Sequence, residues 1–174
     1  MGGRIWGGAD GMAGEIGHMI VRPGGALCDC GRRGCLEAEA CGRAIARAAR
    51  ERFVTEPRAG AALLALTGGD AAAVTAFHVA QAAEAGDALA GSVLDEAARM
   101  LGAGLGSAIS LMNPERVVLG GGVTKAGERW WQVVRATARD QVLPQARVDI
   151  MPAALGDDAP LWGAAALAET LICE

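Results

Sequence analysis

The sequence predicts a single domain of the α/β class, and three observations support that prediction. Helical and strand-like patterns alternate in the second half of the chain. A β-branched run there is closed by three consecutive glycines, which is typical of a buried strand that ends in a tight turn. The chain has 174 residues, which is roughly the length of one domain. Because strands that alternate with helices favour parallel pairing, we expect one domain over residues 1–174 with at least some parallel strands.

The first elements are a short strand, a loop and two helices. Residues 17–21 are a β-like run, and residues 23–35 form a loop rich in glycine and cysteine. Apolar residues then recur at helical spacing over residues 36–52, which predicts a helix. Two glycines precede Asp70, a residue type that caps helices, so a second helix is expected from Asp70 to residue 85.

A third and longer helix is expected to begin after Asp87 and to end at Asn113, just before a proline. Its apolar stripe consists of Leu94, Ala97, Leu101, Leu105, Ala108 and Met112. Three glycines of this helix do not match the dinucleotide fingerprint G-x-G-x-x-G, because Ser107 stands where the last glycine would be. Close packing against other helices is the better interpretation of Gly102, Gly104 and Gly106.

The second half of the chain continues with a strand over residues 116–119. The triple glycine Gly120, Gly121 and Gly122 closes it. A helix over residues 127–142, a strand over residues 147–150 and a final helix over residues 160–171 should follow.

The charge balance argues against nucleic-acid binding by this chain. The formal net charge is −4, so the general electrostatic attraction on which non-specific DNA binding relies is missing. Arg43, Arg47 and Arg50 share one helical face by their spacing, and we interpret that face as solvated.

Membrane and secretory segments are not expected. The longest uncharged run, residues 100–114, is shorter than the roughly 20 apolar residues that a membrane span needs. The first residues lack the basic start and apolar block of a secretory signal. We therefore expect a cytoplasmic protein.

Three of the five cysteines form a cluster with one histidine. Cys28, Cys30 and Cys35 lie within eight positions of one another, and His18 precedes them. Zinc prefers four tetrahedral nitrogen or sulfur ligands, and three thiolates with one imidazole complete such a set. A disulfide or three ordinary buried thiols are the alternatives, but disulfides are disfavoured in the cytoplasm and an odd cysteine count leaves one unpaired. The pattern predicts a zinc site.

Two carboxylates flank this cluster in the sequence. Glu15 precedes His18 by three residues, and Glu37 follows Cys35 by two. A loop folded around a metal would bring both acids near one point, where carboxylates can accept hydrogen bonds from sugar hydroxyls. Two unrelated surface acids are the alternative.

These segments resemble the ROK family of repressors and sugar kinases. The most specific matches are Gly14-Glu15-Ile16-Gly17-His18 and Cys28-Asp29-Cys30-Gly31-Arg32-Arg33-Gly34-Cys35-Leu36-Glu37, and shorter ones lie at residues 113–114, 117–123, 155–158 and 163–166. The resemblance covers nearly the whole chain and implies the C-terminal lobe of an actin-like ATPase, or ribonuclease-H-like, fold with an inserted zinc loop. On that basis we divide the chain into a zinc-binding loop (18–37), a helical segment (37–112), a strand and glycine turn (115–123) and a C-terminal helix (160–172).

The resemblance also implies site residues, cofactors and partners. Glu15, His18 and Glu37 match positions that contact a hexose, with His18 also a zinc ligand. Gly120, Gly121 and Gly122 match a turn near the nucleotide, although a plain strand-to-helix turn remains the alternative. The family implies structural zinc, ATP with magnesium, and a homodimer.

The chain departs from the family's kinases in its catalytic parts. It has no match to their phosphate loop or to the Asn-Asp pair whose aspartate is the general base, so no catalytic residue is assigned here. We therefore expect the C-terminal half of a glucokinase-like ROK kinase, inactive by itself. A sugar-sensing domain of a ROK repressor and a zinc-bearing dimerisation module are the alternatives.

Overall fold

The computed structural model describes residues 5–56 and 58–172, and it confirms the α/β class. Within these residues seven α-helices and two strands follow one another along the chain. They are α1 (Leu36–Ala40), α2 (Gly42–Thr55), α3 (Ala61–Ala65), α4 (Ala76–Glu84), α5 (Ala88–Met112), β1 (Arg116–Leu119), α6 (Glu128–Asp140), β2 (Asp149–Pro152) and α7 (Ala159–Ile172).

Helix α5 is the centre of the molecule, and it packs against α1, α2, α4 and α6. Its length and its end were predicted, because Asn113 adopts a left-handed conformation with φ of 43° that stops the helix. The stripe from Leu94 to Leu105 lies in or beside the main core, whereas Met112 is exposed. The core of the domain is therefore built on one long helix.

The glycines of α5 permit the close packing that was predicted. A Cβ on Gly102 would come within 2.6 Å of Thr137 and 2.8 Å of the Val134 carbonyl oxygen, both on α6. A Cβ on Gly104 would come within 2.8 Å of Leu36 on α1. Glycine is thus required where α5 meets α6, the helix that follows the triple glycine in the chain, and where it meets α1, the helix that carries Glu37.

The two strands pair in parallel, as predicted. Val117 is aligned with Ile150 and Val118 with Met151. The second strand begins at Asp149, two residues later than expected. Its pairing with the first strand starts there, where the Asp149 amide donates to the Glu115 carbonyl (3.1 Å). The prediction that β1 is a buried strand is wrong: Val118 is 59% exposed, because only one face of this two-stranded sheet rests on the core.

Two of the early elements differ from the predictions. Residues 17–21 are not a strand: a 3-10 turn covers Ile16–His18, and Ile20 makes only an isolated antiparallel bridge to Cys35. The helix expected over 36–52 is interrupted at Cys41, whose ψ of 166° is extended. Apolar spacing continues across this break, which is why the periodicity did not reveal it.

The region before α5 is also more divided than predicted. Asp70 caps only a 3-10 turn, and α4 begins at its own cap, Thr75. Helix α3 was not predicted. It is held by Asp87, whose carboxylate accepts hydrogen bonds from the amides of both Leu63 and Ala90.

Helix α7 was predicted, but its surroundings were not. Every side chain described between Leu161 and Glu169 is solvent-exposed, including Leu161 at 71% and Trp162 at 61%. Over the part of the chain that the structure describes, no helix has the length and hydrophobicity needed to cross a membrane. Cys173, which would be a small packing residue by its sequence context, lies outside the described residues.

Candidate functional site

The four predicted metal ligands come together in the structure. One donor atom from each of His18, Cys28, Cys30 and Cys35 lies within 4.8 Å of all the others. Cys28 and Cys35 are buried, Cys30 is exposed and His18 is half-buried. The cluster therefore lies at the edge of the molecule, with one thiol facing solvent.

The spacing of these donors fits a tetrahedral zinc ion. Zinc bonds to sulfur and nitrogen at about 2.0–2.3 Å, so neighbouring donors of a tetrahedral site lie about 3.4–3.8 Å apart. The Cys30 and Cys35 sulfurs are 3.6 Å apart, and the Cys28 sulfur is 3.7 Å from His18 Nδ1. A closed set of three thiols and one imidazole is also the donor chemistry of structural zinc sites.

Backbone constraints shape the loop that holds the thiols. Gly34 has φ of 78°, and a Cβ there would overlap the carbonyl oxygen of Arg22. In turn, the amides of Val21 and Arg22 both donate to the Gly34 carbonyl. The loop thus closes on itself just before Cys35, at a position where only glycine fits.

The metal-free thiols have different proton affinities. Hydrogen bonds from the Arg32 backbone and side chain lower the pKa of Cys30 to about 6. Burial raises the pKa of Cys35 to about 11. Cys30 is therefore a thiolate at neutral pH without a metal, whereas Cys35 must lose a proton to become a ligand.

The predicted sugar-contact residues also converge. Glu15 Oε2 lies 3.9 Å from His18 Nε2, and Glu37 Oε2 lies 3.9 Å from His18 Nδ1. Glu15 directly precedes the 3-10 turn that carries His18, and Glu37 lies in the first turn of α1. Both carboxylates are open to solvent, with exposed fractions of 59% and 38%. The three side chains form an accessible group on the rim of the metal cluster.

Arg43 connects this group to the cysteine loop. Its Nη2 donates to Asp29 Oδ2 (3.0 Å) and to Glu37 Oε1 (3.4 Å). We predicted a solvated face for this arginine, and its side chain is indeed exposed, but it holds one of the site's carboxylates. No sequence signal pointed to this contact, because the break at Cys41 determines where α2 begins and hence where Arg43 points.

Ion pairs anchor the loop to the helices behind it. Arg22 pairs with Glu39 of α1 and with Glu96 of α5, and Arg52 of α2 donates to the same Glu96 (2.7 Å). These side chains are buried or partly buried. The position of the cysteine loop is thereby tied to three helices.

The predicted nucleotide turn borders a large cavity. This cavity has a volume of about 1140 Å³ and lies between α2, α4 and the glycine turn. Gly122 lines it, together with Val123 and Lys125, whereas Gly120 and Gly121 do not. A Cβ on Gly122 would meet nothing within 4 Å, so the backbone is open to a ligand there.

The walls of this cavity suit a flat, partly polar molecule. Phe77 offers an exposed ring, and the other apolar groups are aliphatic, from alanines up to Ile45 and Leu94. The polar side chains around them include Arg50, Thr75, Gln81 and Glu84. None of these wall residues was singled out as a site residue from the sequence, because they come from two separate elements, α2 and α4 with its cap.

Comparison with known proteins gives one consistent picture. The model of the ROK family matches residues 1–171. A glucokinase from Halalkalibacterium halodurans is 42% identical over 164 residues, which cover 92% of this chain and 49% of that protein. The DNA-binding transcriptional dual regulator NagC of Escherichia coli K12 is 34% identical over 153 residues, which cover 85% of this chain and 34% of NagC.

A solved structure is also similar. It is a ROK family glucokinase from Streptomyces griseus in complex with glucose and AMPPNP, with a TM-score of 0.86 and 37% identity. The similarity covers 96% of this chain and 55% of that one. The chain therefore spans about half the length of the curated glucokinases from Halalkalibacterium halodurans and Thermotoga maritima that it matches.

Proposed function

The chain belongs to the ROK family, and from that premise we propose that it is the hexose- and zinc-binding half of an ATP-dependent, glucokinase-like sugar kinase. The observation that carries this proposal is the convergence of Glu15, His18 and Glu37 on the rim of the metal cluster. The comparisons support the proposal, because the chain is similar to several glucokinases.

The carboxylates would hold the sugar through its hydroxyl groups. An ionised carboxylate only accepts hydrogen bonds, so Glu15 and Glu37 select hydroxyl donors. With Nδ1 of His18 turned toward Cys28, the other ring nitrogen is left to face Glu15 and a bound hydroxyl. Arg43 would orient Glu37 through its contact with that carboxylate.

Zinc would be held by His18, Cys28, Cys30 and Cys35 and would act structurally. A closed set of four protein ligands leaves no open position for catalysis. Its role is to fix the direction of the His18 ring and the path of the loop between Glu15 and Glu37. These two carboxylates belong to different segments of the chain, and the metal joins those segments.

The nucleotide would occupy the cavity beside Gly122. ATP with magnesium supplies the phosphoryl group in such a kinase. The missing side chain at Gly122 allows close approach to the backbone, while Phe77 and the aliphatic groups offer a surface for a base. Gly120 and Gly121 would act only by giving the turn its shape, Gly121 through its φ of 97°.

We propose that the 174-residue polypeptide alone does not turn over sugar at a useful rate. A positioned general base contributes about 10² to 10⁴ in rate, and no residue of this sequence matches the family's base. In this arrangement Glu15 and Glu37 would bind sugar hydroxyls other than the one that attacks the phosphate. We further propose that the protein is cytoplasmic, since ATP-dependent sugar phosphorylation belongs to that compartment. We also propose that it forms a homodimer and does not bind nucleic acid directly.

The second candidate function is that of a sugar-sensing domain in a transcriptional repressor. The similarity to NagC favours it, and the same sugar-contact residues would serve it. The two functions differ in the use of the cavity beside Gly122. A kinase needs nucleotide there, whereas a sensor needs only the sugar.

Calorimetric titration of the zinc-loaded protein with a panel of hexoses tests the sugar site. A hydrogen bond to a charged group contributes about 1.5–3 kcal/mol, so Glu15→Gln or Glu37→Gln should weaken hexose binding about 10- to 100-fold. Glu115→Gln is the matched control, because this glutamate is exposed and pairs only with Arg116. Equal affinities for all three variants would contradict the proposed site.

Titration with Mg-ATP separates the two candidate functions. Gly122→Val fills the cavity mouth without a backbone clash and should abolish nucleotide binding while leaving hexose binding intact. Gly163→Val is its control, since this glycine also has open space around it and lies on exposed α7. Hexose binding with no effect of Mg-ATP on either protein would favour the repressor function.

A further inference from the structure

We propose that Cys30 and Cys35 are an oxidisable thiol pair, a modification site at which a hydroperoxide forms a disulfide and expels the metal. The proposal rests on the zinc site described above, and it concerns a second state of the same loop. In that state the loop is closed by a covalent bond instead of an ion.

Exposure makes Cys30 the thiol that an oxidant reaches. Cys28 is 5% exposed and Cys35 is fully buried, whereas Cys30 is exposed. Oxidation of cysteine follows accessibility and thiolate character, so attack is directed to one of the three sulfurs. The exposed, metal-bound Cys30 thiolate is therefore the sulfur that reacts first with the peroxide.

The geometry makes Cys35 its partner. The two sulfurs are 3.6 Å apart, and four residues separate them in the chain. A disulfide needs a sulfur–sulfur separation of about 2.05 Å, so the two sulfurs must move about 1.5 Å closer to one another. The Cys28 sulfur contacts His18 Nδ1 at 3.7 Å and lies within 4.8 Å of the other two sulfurs, so the 3.6 Å contact favours Cys35 over Cys28 as the partner.

The loop can make this movement from one side. Gly34, just before Cys35, is held by backbone hydrogen bonds: its amide donates to the Ala26 carbonyl, and its carbonyl accepts from the amides of Val21 and Arg22. Gly31, just after Cys30, has φ of 84° and open space where a Cβ would be. The exposed Cys30 side of the loop can thus move toward a fixed Cys35.

The chemistry balances in two steps. The Cys30 thiolate attacks one oxygen of hydrogen peroxide, the O–O bond breaks, and the hydroxide that leaves takes up a proton to form water, which gives a sulfenic acid. The Cys35 thiolate then attacks the sulfenic sulfur, and the hydroxide that leaves is protonated to a second water. Two sulfurs are oxidised, the peroxide is reduced, and the ion keeps only two of its four ligands.

Loss of the ion affects the sugar-contact residues through His18. The imidazole is then no longer fixed to the loop by a metal bond, and it is left with the longer contacts to Glu15 and Glu37 at 3.9 Å. Oxidation should therefore weaken the site on the rim of the cluster as well as open the metal centre.

The test treats the zinc-loaded full chain with hydrogen peroxide, measures released zinc with a colorimetric chelator, and maps disulfides by peptide mass spectrometry. We expect one zinc per chain to be released in step with a Cys30–Cys35 disulfide, and dithiothreitol with zinc to restore the starting state. Retention of zinc, a disulfide that joins Cys28, or a sulfinate at Cys30 without a disulfide would overturn the proposal.

Two variants and a separate measurement keep the outcome interpretable. Cys41→Ser changes a thiol outside the cluster and should behave like the unchanged protein. Cys35→Ser removes the resolving thiol, so peroxide should leave Cys30 as a sulfenic acid that a dimedone probe captures. Hexose binding is measured independently: protein that forms the disulfide but never binds hexose contradicts the proposed function alone.

Discussion

Removal of the Asp87 carboxylate should destabilise the domain more than any ordinary loss of a helix cap. Asp87 is 7% exposed, and it accepts hydrogen bonds from Ala90 at the start of α5 (2.9 Å) and from Leu63 in α3 (3.1 Å). Both donor residues are fully buried. Asp87→Ala therefore leaves two amides without a partner in a region that water does not reach.

The magnitude follows from these two bonds. A hydrogen bond to a charged acceptor contributes about 1.5–3 kcal/mol, so the free energy of unfolding should fall by about 3–6 kcal/mol. Asp87→Asn retains one carbonyl oxygen and should lose about half of that. Asp70→Ala is the matched control: Asp70 is an exposed cap with a single bond to Ala72, and its loss should be about 1 kcal/mol.

Urea unfolding followed by circular dichroism measures the effect. With an m value of about 2 kcal/mol/M, the midpoint for Asp87→Ala should fall by roughly 1.5–3 M. If Asp87→Ala lowers the midpoint no further than Asp70→Ala does, the reasoning from buried amides is refuted.

Three further outcomes are expected. Gly34→Ala should prevent zinc loading, as measured by metal analysis, because its Cβ overlaps the Arg22 carbonyl, whereas Gly31→Ala should only weaken loading, because it meets strain without overlap. Equal zinc content in both variants would contradict this. The proton that Cys35 must lose, with its pKa raised to about 11, should by itself increase the apparent zinc affinity about tenfold from pH 7 to 8, whereas Cys30, whose pKa is lowered to about 6, should contribute little to the slope. Competition with a chelator at each pH checks the slope, and an affinity independent of pH would oppose it. The 174-residue polypeptide should show only background in a coupled assay with Mg-ATP and hexoses, and robust turnover that Glu15→Gln abolishes would show that the base lies in this chain.

The long central helix and the pairing of the two strands were the more predictable parts of the fold. The α5 helix was recognised because its apolar stripe repeats over many turns and because Asn113 and Pro114 mark its end. The parallel pairing followed from a strand, a helix and a strand in succession. Patterns of this kind depend on many residues at once, so single exceptions do not hide them.

Local breaks were not predictable, because they depend on contacts between distant segments. Cys41 interrupts the expected helix although the apolar spacing continues, and a Cβ on the following Gly42 would meet Ala76 and Val123. The short bridge from Ile20 to Cys35 depends on how the cysteine loop folds back. Neither relation is visible in the spacing of neighbouring residues.

The proximity of the candidate site residues was predicted from the sequence, whereas the contacts that support these residues were not. Glu15, His18 and Glu37 could be named because their motif is specific, and the structure brings them together. The roles of Arg43 and of the Arg22–Glu96 pair could not be named, because each joins elements that are far apart in sequence.

Helix α7 has a consequence for the lifetime of the polypeptide in a cell. A helix that presents leucine and tryptophan to water, as α7 does at Leu161 and Trp162, offers the kind of surface that chaperones and proteases recognise. A helix of this length also gains little stability from its own hydrogen bonds and opens readily when nothing packs over it. Association of another protein surface with α7 should therefore compete with proteolysis of the chain. The abundance of the chain in vivo should depend on which of the two processes is faster.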